Sequence, residues 1–300
     1  MASKRVIHAA LAGNLLVAAT KVVAAIITGS SAMLSEAIHS LVDSGDQILL
    51  LYGQRRSRQP PHPKHPLGHG RELYFWSFVV ALMVFALGAG ISIYEGILHI
   101  QHPVPIANPL VSYIVLALAF VFEGTSWLIA LREVNKLKGS KDLLEAFEKT
   151  KDPPSFVVFF EDSAALVGIS IAALATFGVT HFHIAVLDGV ASILIGLILA
   201  TIAYGLARET KSLLIGEQAD AELTKSIERI AREVSSVNDV NVVFAVQLAP
   251  QEVVVALQLR FPDQLPVVDA AAEIREIERR VRERHREVIG VFIRPRDDDA

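Results

Sequence analysis

Four ionisable residues lie inside an apolar stretch near the start of the chain, between residues 29 and 47. They are three, four and three positions apart, a spacing that aligns side chains along one face of an α-helix: Glu36, His39, Asp43 and Asp46. Carboxylates and imidazole are common ligands of divalent cations. Because ionisable groups inside a membrane span are costly, this pattern predicts a functional site with a partner elsewhere in the chain.

The predicted partner lies in a later apolar stretch, FFEDSAALVG, which contains Glu161 and Asp162. Counted along their helices at 1.5 Å per residue, Asp43 and Asp162 lie about 15 Å and about 12 Å from the same membrane surface. Two carboxylates at that depth repel each other unless a cation joins them. We therefore expect His39, Asp43 and Asp162 to bind one divalent ion. The alternative is a hydrogen-bonded polar cluster that only holds the helices together.

A second group of imidazoles follows in the segment PPHPKHPLGHGRE: His62, His65 and His69. Three histidines within eight residues suit zinc or another borderline metal. A histidine-rich loop can also be solvated and incidental, so the segment is either a second metal site or an exposed loop. The chain contains no cysteine, which excludes disulfides and thiolate zinc sites.

Six apolar stretches position these groups in a chain of 300 residues, 52% of them hydrophobic. Each is long enough to cross a hydrocarbon layer roughly 30 Å thick: about 6–28, 32–54, 72–98, 110–132, 155–179 and 183–206. Lysine and arginine cluster in the loops on one side, whereas the opposite loops contain neither. The positive-inside rule therefore predicts a multi-pass integral membrane protein with both termini in the cytoplasm.

The last third of the chain has the pattern of a soluble domain. Amphipathic helices are predicted over 219–234 and 267–286, and strands over 240–248, 252–261 and 288–295. This order of helix, strand, strand, helix and strand predicts a compact α+β domain. The predicted division is a membrane domain at 1–208, with a cytoplasmic histidine-rich loop at 55–71, and an α+β dimerisation domain at 209–300.

Together these features resemble the cation diffusion facilitator family, whose zinc-transporter type exchanges divalent metal for protons. The resemblance rests on six spans, the TGSSAML turn, the HSLVD motif, the HPLGHGRE loop, the KSLL exit from the sixth span and the α+β domain. It implies a ferredoxin-like, metallochaperone-like cytoplasmic domain and a homodimer that exports zinc, as its substrate, by alternating access. We expect no organic cofactor and no nucleic-acid partner, and we expect the plasma (inner) membrane of a bacterium.

The resemblance also implies a tetrahedral transport site with two ligands on the second helix and two on the fifth. The matching positions are His39, Asp43, Val158 and Asp162. Valine cannot bind a metal, so the fourth ligand would be Glu161, Glu123, a water molecule or a second carboxylate oxygen. Glu161 is rotated by about 100° from Asp162 on an ideal helix. It fits only if the helix is distorted or turned.

Two further features follow from the resemblance. The loop histidines match the family's second metal site, which would hold a zinc ion: His62, His65 and His69. Relatives with a binuclear site in the small domain place ligands at strand ends that here carry Gln258 and Arg294, so we expect that domain to dimerise without such a site. An ion pair between the third helix and the segment after the sixth is expected as Arg71 with Glu217.

Several functions remain open from the sequence alone. An oxygen-rich site discriminates weakly between zinc and manganese, iron(II) or cobalt. The valine in the ligand set leaves room for a metal-responsive scaffold that binds without transporting. A membrane-embedded metalloenzyme is disfavoured, because HExxH does not occur and the outer loops are too short for a substrate site. We expect a transporter and not an enzyme.

Overall fold

The computed structural model describes residues 4–138, 142–151, 153–234 and 237–296. Residues 1–3 and 297–300, at the outer ends of the two predicted domains, lie outside this description. The described N-terminal part is a bundle of long helices: α1 Lys4–Thr28, α2 Ser31–Ser57, α3 Glu72–Met83, a π-helical segment Val84–Ala89, α4 Gly90–Gln101, α5 Pro109–Lys138, α6 Leu143–Thr150, α7 Pro153–Phe182 and α8 Val186–Ile215.

Within the described ranges, four helical segments are long and apolar enough to cross a membrane: Glu72–Gln101, Pro109–Lys136, Phe156–Phe182 and Val186–Ile215. The first and second predicted spans also form helices, of 25 and 27 residues. α1 is apolar over Asn14–Thr28, and α2 has a polar face that carries the ionisable residues. The helical character of all six predicted stretches is therefore observed, while four of them meet the criterion of length and hydropathy.

A tight turn joins α1 to α2 and makes them antiparallel neighbours. Gly29 has a φ of +67°, a left-handed conformation that costs glycine little. Ser30 then caps α2, because its hydroxyl accepts a hydrogen bond from the backbone N–H of Met33 at 3.1 Å. The TGSSAML segment thus fixes where α2 begins, and with it the depth of every ionisable side chain on α2.

α4 and α8 approach each other closely through glycines. A Cβ atom on Gly96 would lie 2.7 Å from the carbonyl oxygen of Gly189, and one on Gly189 would lie 2.7 Å from the carbonyl oxygen of Gly96. Small residues permit this backbone contact between membrane helices. The third and sixth predicted spans are consequently held side by side.

The small domain has the predicted order of elements: α9 Ala221–Arg232, β1 Asp239–Ala249, β2 Glu252–Arg260, α10 Val267–Arg284 and β3 Val288–Pro295. β2 lies in the centre of the sheet, antiparallel to β1 and parallel to β3. The helices pack on the sheet through fully buried side chains such as Ile227, Leu257 and Ile277. The α+β fold class is thereby confirmed.

The junction between the two parts differs in detail from the sequence expectation. α8 continues beyond residue 208 to Ile215, and the division at 208 stays a prediction. Glu217, expected to pair with Arg71, instead forms an ion pair with Lys151, which precedes α7. The Arg71 guanidinium lies beside Gly216, where a Cβ atom would meet its Nη2 at 3.3 Å. Lys151, between α6 and α7, lies close to the end of α8 and therefore pairs with Glu217 in place of Arg71.

Candidate metal centre

The centre begins with two residues one turn apart on α2. His39 Nδ1 lies 3.1 Å from Asp43 Oδ1, as expected for side chains four positions apart on one helix face. The His39 side chain is 1% exposed and that of Asp43 is 16% exposed. The pair therefore presents an imidazole and a carboxylate to the interior of the bundle.

α7 adds Glu161 to this pair. Ligand oxygens of Asp43, Asp46 and Glu161 all lie within 4.8 Å of one another. Glu161 was expected to fit only in a turned or distorted helix, and α7 is turned so that this side chain enters the cluster. Asp46, which shares the polar face of α2 but was absent from the expected ligand set, completes it. We call these three residues the acidic triad.

The acidic triad contains buried oxygens without ordinary partners. Across residues 4–138, 142–151, 153–234 and 237–296, both carboxylate oxygens of Asp46 and Oε1 of Glu161 are buried and have no hydrogen-bond partner. Buried polar atoms are normally hydrogen-bonded, so such groups require an explanation. A cation bound between the carboxylates provides one.

Asp162 lies beside this cluster and is also bonded to α5. Its Oδ2 accepts a hydrogen bond of 2.8 Å from the Ser126 hydroxyl, and the residue is 8% exposed. The group of converging ligand atoms in the described bundle contains Asp43, Asp46 and Glu161 but not Asp162. The part of Asp162 in the transport site stays a prediction.

A buried lysine stands next to the centre. Lys21 of α1 lies 3.2 Å from a carboxylate oxygen of Glu36 and 3.6 Å from one of Glu123, and it donates a hydrogen bond of 2.7 Å to the Ser40 hydroxyl. Lys21 and Glu36 are both fully buried. Lys21 thus pairs with an acid of α2, and Glu123 of α5 also contacts its ammonium group.

The Glu36 carboxylate also determines how closely α7 can approach. A Cβ atom on Gly168 would lie 2.2 Å from Glu36 Oε1, so only glycine fits there without displacement. The charged network of α1, α2 and α5 thus packs directly on the backbone of α7, about two helix turns from the acidic triad.

A separate polar cluster joins the N-terminal ends of α2 and α8. Asp188 accepts hydrogen bonds from the Ser30 hydroxyl at 2.6 Å and from the Ser31 backbone N–H at 2.5 Å, and His99 Nε2 lies 3.6 Å away. Asp188 is fully buried. Its carboxylate binds the N-terminus of α2, where an anion is favoured by the helix dipole.

The loop histidines form a second cluster of potential ligands. Ring nitrogens of all three lie within 4.8 Å of one another: His62, His65 and His69. The backbones of His62 and His65 exchange two hydrogen bonds, of 3.2 and 2.8 Å, which closes the loop. His69 is buried and its Nδ1 lies 3.3 Å from the carbonyl oxygen of Gln59, while the other two rings are exposed.

The small domain places its polar residues differently. Gln258 and Arg294 are register partners on β2 and β3, at the strand positions where relatives carry ligands. His285 Nε2 lies 2.8 Å from the Ser226 hydroxyl and its Nδ1 lies 3.3 Å from Glu287. These contacts are typical of a structural histidine that joins α9 to the end of α10.

Asp46 belongs to the helix face that the sequence predicts as functional but not to the predicted ligand set. The contacts of Ser126 and Asp188 gave no comparable signal, because they join helices that are distant in sequence. Chain-distant hydrogen bonds are the part of a site that periodicity cannot indicate.

The bundle matches the family model described as the cation efflux transmembrane domain over residues 7–215. The chain belongs to the cation efflux family. Its predicted membership of the cation diffusion facilitators is thereby confirmed, and the family, together with the apolar helices, makes it a multi-pass integral membrane protein.

Two relatives are similar to about three quarters of the chain. The mitochondrial proton-coupled zinc antiporter SLC30A9 of Homo sapiens is 32% identical over 230 residues, 76% of this chain and 40% of that protein. Metal tolerance protein C4 of Arabidopsis thaliana is 30% identical over 238 residues, 79% of this chain and 52% of that protein. The chain thus spans about half the length of these relatives or less.

A bacterial relative is more distant but more similar in length. The manganese efflux system protein MneP of Bacillus subtilis is 23% identical over 230 residues, 76% of this chain and 74% of that protein. The cation efflux relatives therefore include proteins named for zinc and for manganese.

Proposed function

We propose that this cation efflux protein carries divalent metal ions out of the cytoplasm in exchange for protons. The observation that carries the proposal is the contact of His39 with Asp43 at 3.1 Å, inside a helix bundle where Asp46 and Glu161 add buried carboxylates to the same cluster. A divalent ion would neutralise carboxylates whose burial is otherwise costly.

Exchange for protons follows from the chemistry of the ligands. Imidazole binds metal only when neutral, and a carboxylate binds metal only when deprotonated, so metal and protons compete for the same groups. Because the acids at this centre titrate together, the coupling belongs to the cluster and not to one residue. The name of the human relative, a proton-coupled zinc antiporter, supports the same proposal.

Zinc is the proposed substrate, with His39, Asp43 and Asp162 as its ligands and Glu161 as the fourth. Manganese is the second candidate, favoured by the oxygen-rich ligand set, because carboxylates suit manganese while imidazole suits zinc. The Bacillus relative named for manganese efflux supports this alternative. Iron(II) and cobalt are bound by similar ligand sets and belong in the same competition series.

Four further proposals complete this function. We propose that the protein acts as a homodimer through the small domain, that its basic loops face the cytoplasm, and that it lies in the plasma membrane of a bacterium. The loop cluster is proposed as an additional zinc site, with His62, His65 and His69 as its ligands. Static light scattering in detergent and protease access to the loop from each side of vesicles check the dimer and the orientation.

The decisive experiment is flux through the purified protein in proteoliposomes. A pulse of zinc or manganese outside the vesicles should move metal inward and protons outward, measured with a metal dye and a pH dye in parallel. Asp43→Ala and Asp162→Ala should abolish both signals, while empty vesicles give the background. Binding of metal without any flux would favour the scaffold alternative, and metal uptake unchanged in both variants would refute the ligand assignment.

A further inference from the structure

We propose that the acidic triad, Asp43, Asp46 and Glu161, forms a second cation position that overlaps the proposed transport position. It shares Asp43 and Glu161 with that position and adds Asp46. It would bind a divalent cation through carboxylate oxygens and pass it to the imidazole-containing position. The inference rests on the proposed function for its role in transport, although the binding itself does not require transport.

The geometry alone separates the triad from a chance group of acids. Its ligand oxygens converge to within 4.8 Å, and it combines side chains from two helices, α2 and α7. Asp46 is fully buried and Glu161 is 4% exposed. Three carboxylates that close would repel strongly in a medium of low dielectric constant. Burial of Asp46 and Glu161 next to the half-buried Asp43 is therefore consistent with a bound positive charge.

The unsatisfied oxygens point to a ligand. In the part of the chain that the structure describes, neither carboxylate oxygen of Asp46 has a hydrogen-bond partner, nor does Oε1 of Glu161. Asp162, by contrast, already accepts a bond from Ser126. Both oxygens of Asp46 and one of Glu161 are therefore open to a cation at the point where the triad converges.

The neighbouring protein cation is already engaged. Lys21 is bound to Glu36 and Ser40 and also approaches Glu123. Among the contacts described, none joins Lys21 to Asp46 or Glu161, and His39 contacts only the Asp43 member of the triad. We infer that an ion from solution compensates the charge of Asp46 and Glu161.

The two positions follow one another along α2. From His39 to Asp46 is seven residues, or about 10.5 Å at 1.5 Å per residue, and Asp46 is nearer the end of α2 that carries the basic loop. Asp43 lies between them and, like Glu161, belongs to both positions. An ion that enters from the basic side would meet the triad first and then exchange Asp46 for His39 and Asp162.

The ligand chemistry predicts different preferences at the two positions. Carboxylate oxygens are hard ligands that suit manganese and magnesium, whereas imidazole favours zinc. The triad would select divalent ions by charge, and the His39 position would then select by ligand type. Substitution of His39 should therefore shift the bound-ion preference toward manganese without removing the first position.

Manganese binding measured by electron paramagnetic resonance on the purified full chain in detergent tests this inference. The background combines His39→Ala with His62→Ala, His65→Ala and His69→Ala, which removes every imidazole of the two histidine-containing sites. This background should still bind one manganese ion per chain. Adding Asp46→Asn or Glu161→Gln should weaken that binding at least 10-fold, while Asp46→Glu should retain most of it.

Ser44→Ala is the matched control, because Ser44 lies on α2 and its hydroxyl bonds only to the Ser40 carbonyl oxygen among the contacts described. It should leave manganese binding unchanged. Size-exclusion profiles and melting temperatures establish that each variant is folded, and the Asp46→Glu variant separates loss of the carboxylate from loss of structure.

The outcomes distinguish this inference from the proposed function. If the background binds no manganese, or if Asp46→Asn and Glu161→Gln leave its affinity unchanged, the second position does not exist, although the wild-type protein may still transport in proteoliposomes. If manganese binding depends on the triad but wild-type vesicles show no flux, the second position stands and the transport proposal fails.

Discussion

The bundle and the loop each bring at least three potential metal ligands within 4.8 Å, yet the two clusters differ in every physical respect. The centre on α2 and α7 is buried, acidic and assembled from helices far apart in sequence. The loop cluster consists of histidines within eight residues, two of them exposed, in a segment closed by its own backbone hydrogen bonds. In the bundle the ligands are brought together by tertiary packing, whereas in the loop they are already close in the sequence.

This difference indicates at which cluster metal binding and the stability of the fold depend on the same side chains. Charges in the bundle are costly without a partner, so removing or adding one there affects both stability and ion binding. The exposed rings of His62 and His65 are solvated whether or not a metal is present. We therefore expect substitutions in the two regions to have effects of very different size.

The largest contrast is expected between two histidine variants. His39→Ala should lower zinc flux in proteoliposomes at least ~100-fold, because loss of a direct ligand exceeds the roughly 10- to 100-fold effects of outer-shell partners. His65→Ala should change the flux by less than about three-fold and lower the number of zinc ions bound per chain. An equal loss of zinc flux in both variants would mean that the loop takes part in transport. It would contradict the expected difference between the buried centre and the loop cluster.

Removal of the buried cation should give the next largest effect. Lys21→Met leaves Glu36 and Glu123 without their partner, and breaking a buried ion pair costs roughly 3–5 kcal/mol of folding free energy. Lys136→Met is the matched control, because Lys136 pairs with Glu133 at an exposed site and should cost less than about 1 kcal/mol. Thermal unfolding in detergent measures both. A Lys21 variant as stable as the control would show that the charges at α2 do not need this lysine.

A steric substitution tests how the loop is fixed to the small domain. A Cβ atom on Gly70 would lie 2.5 Å from Glu252 Oε2 and 3.0 Å from the Leu248 carbonyl oxygen. Gly70→Ala should therefore cost about 1–3 kcal/mol through overpacking. Gly205→Ala is its control, since no atom lies within 4 Å of a Cβ atom there, and it should be neutral or stabilising. Melting curves of the two variants, compared with wild type, decide whether the loop contact is rigid.

The smallest effect concerns the carboxylate that faces this loop. Burial raises the pKa of Glu252 above its usual 4.5, so the folded protein binds a proton that the unfolded chain releases. Stability then falls as pH rises from about 4.5 through the raised pKa. Glu252→Gln should remove this dependence and raise the melting temperature at pH 7 by about 1–2 °C.

Glu276 provides a control of opposite sign for that measurement. Hydrogen bonds from Arg279 and Arg280 lower the pKa of Glu276 to about 2, so its contribution is present above the usual pKa and is lost as pH falls toward 2. Glu276→Gln should therefore lower the melting temperature at pH 7 while Glu252→Gln raises it. A shift of the same sign in both variants would contradict the assigned environments.

Much of the fold follows from the sequence because apolar length and turn chemistry are local properties. The helical stretches, the turn within TGSSAML and the order of elements in the small domain were all indicated by pattern. The helix α6 was not, because it lies in the predicted loop between the fourth and fifth spans. The π-helical segment Val84–Ala89 was not predicted either, because it does not interrupt the apolar pattern.

The candidate site was predictable only in part, for the same reason. The contact between His39 and Asp43 depends on one helix turn, and its geometry follows directly from spacing. The entry of Glu161 into the cluster depends on the rotation of α7, which is set by packing against other helices. Likewise, Glu217 pairs with Lys151 and not with Arg71 because of where α6 and α7 meet. The periodicity of the sequence does not predict that position.

The Asp188 cluster has a consequence for motion within the bundle. Its carboxylate ties the N-termini of α2 and α8 together through Ser30 and Ser31, whereas the other ends of these helices connect to a loop and to a separate domain. Separation of α2 from α8 should therefore begin at those free ends, with the serine–aspartate junction as the pivot. Weakening that junction, for example with Asp188→Asn, would let the same two helices part from the opposite side.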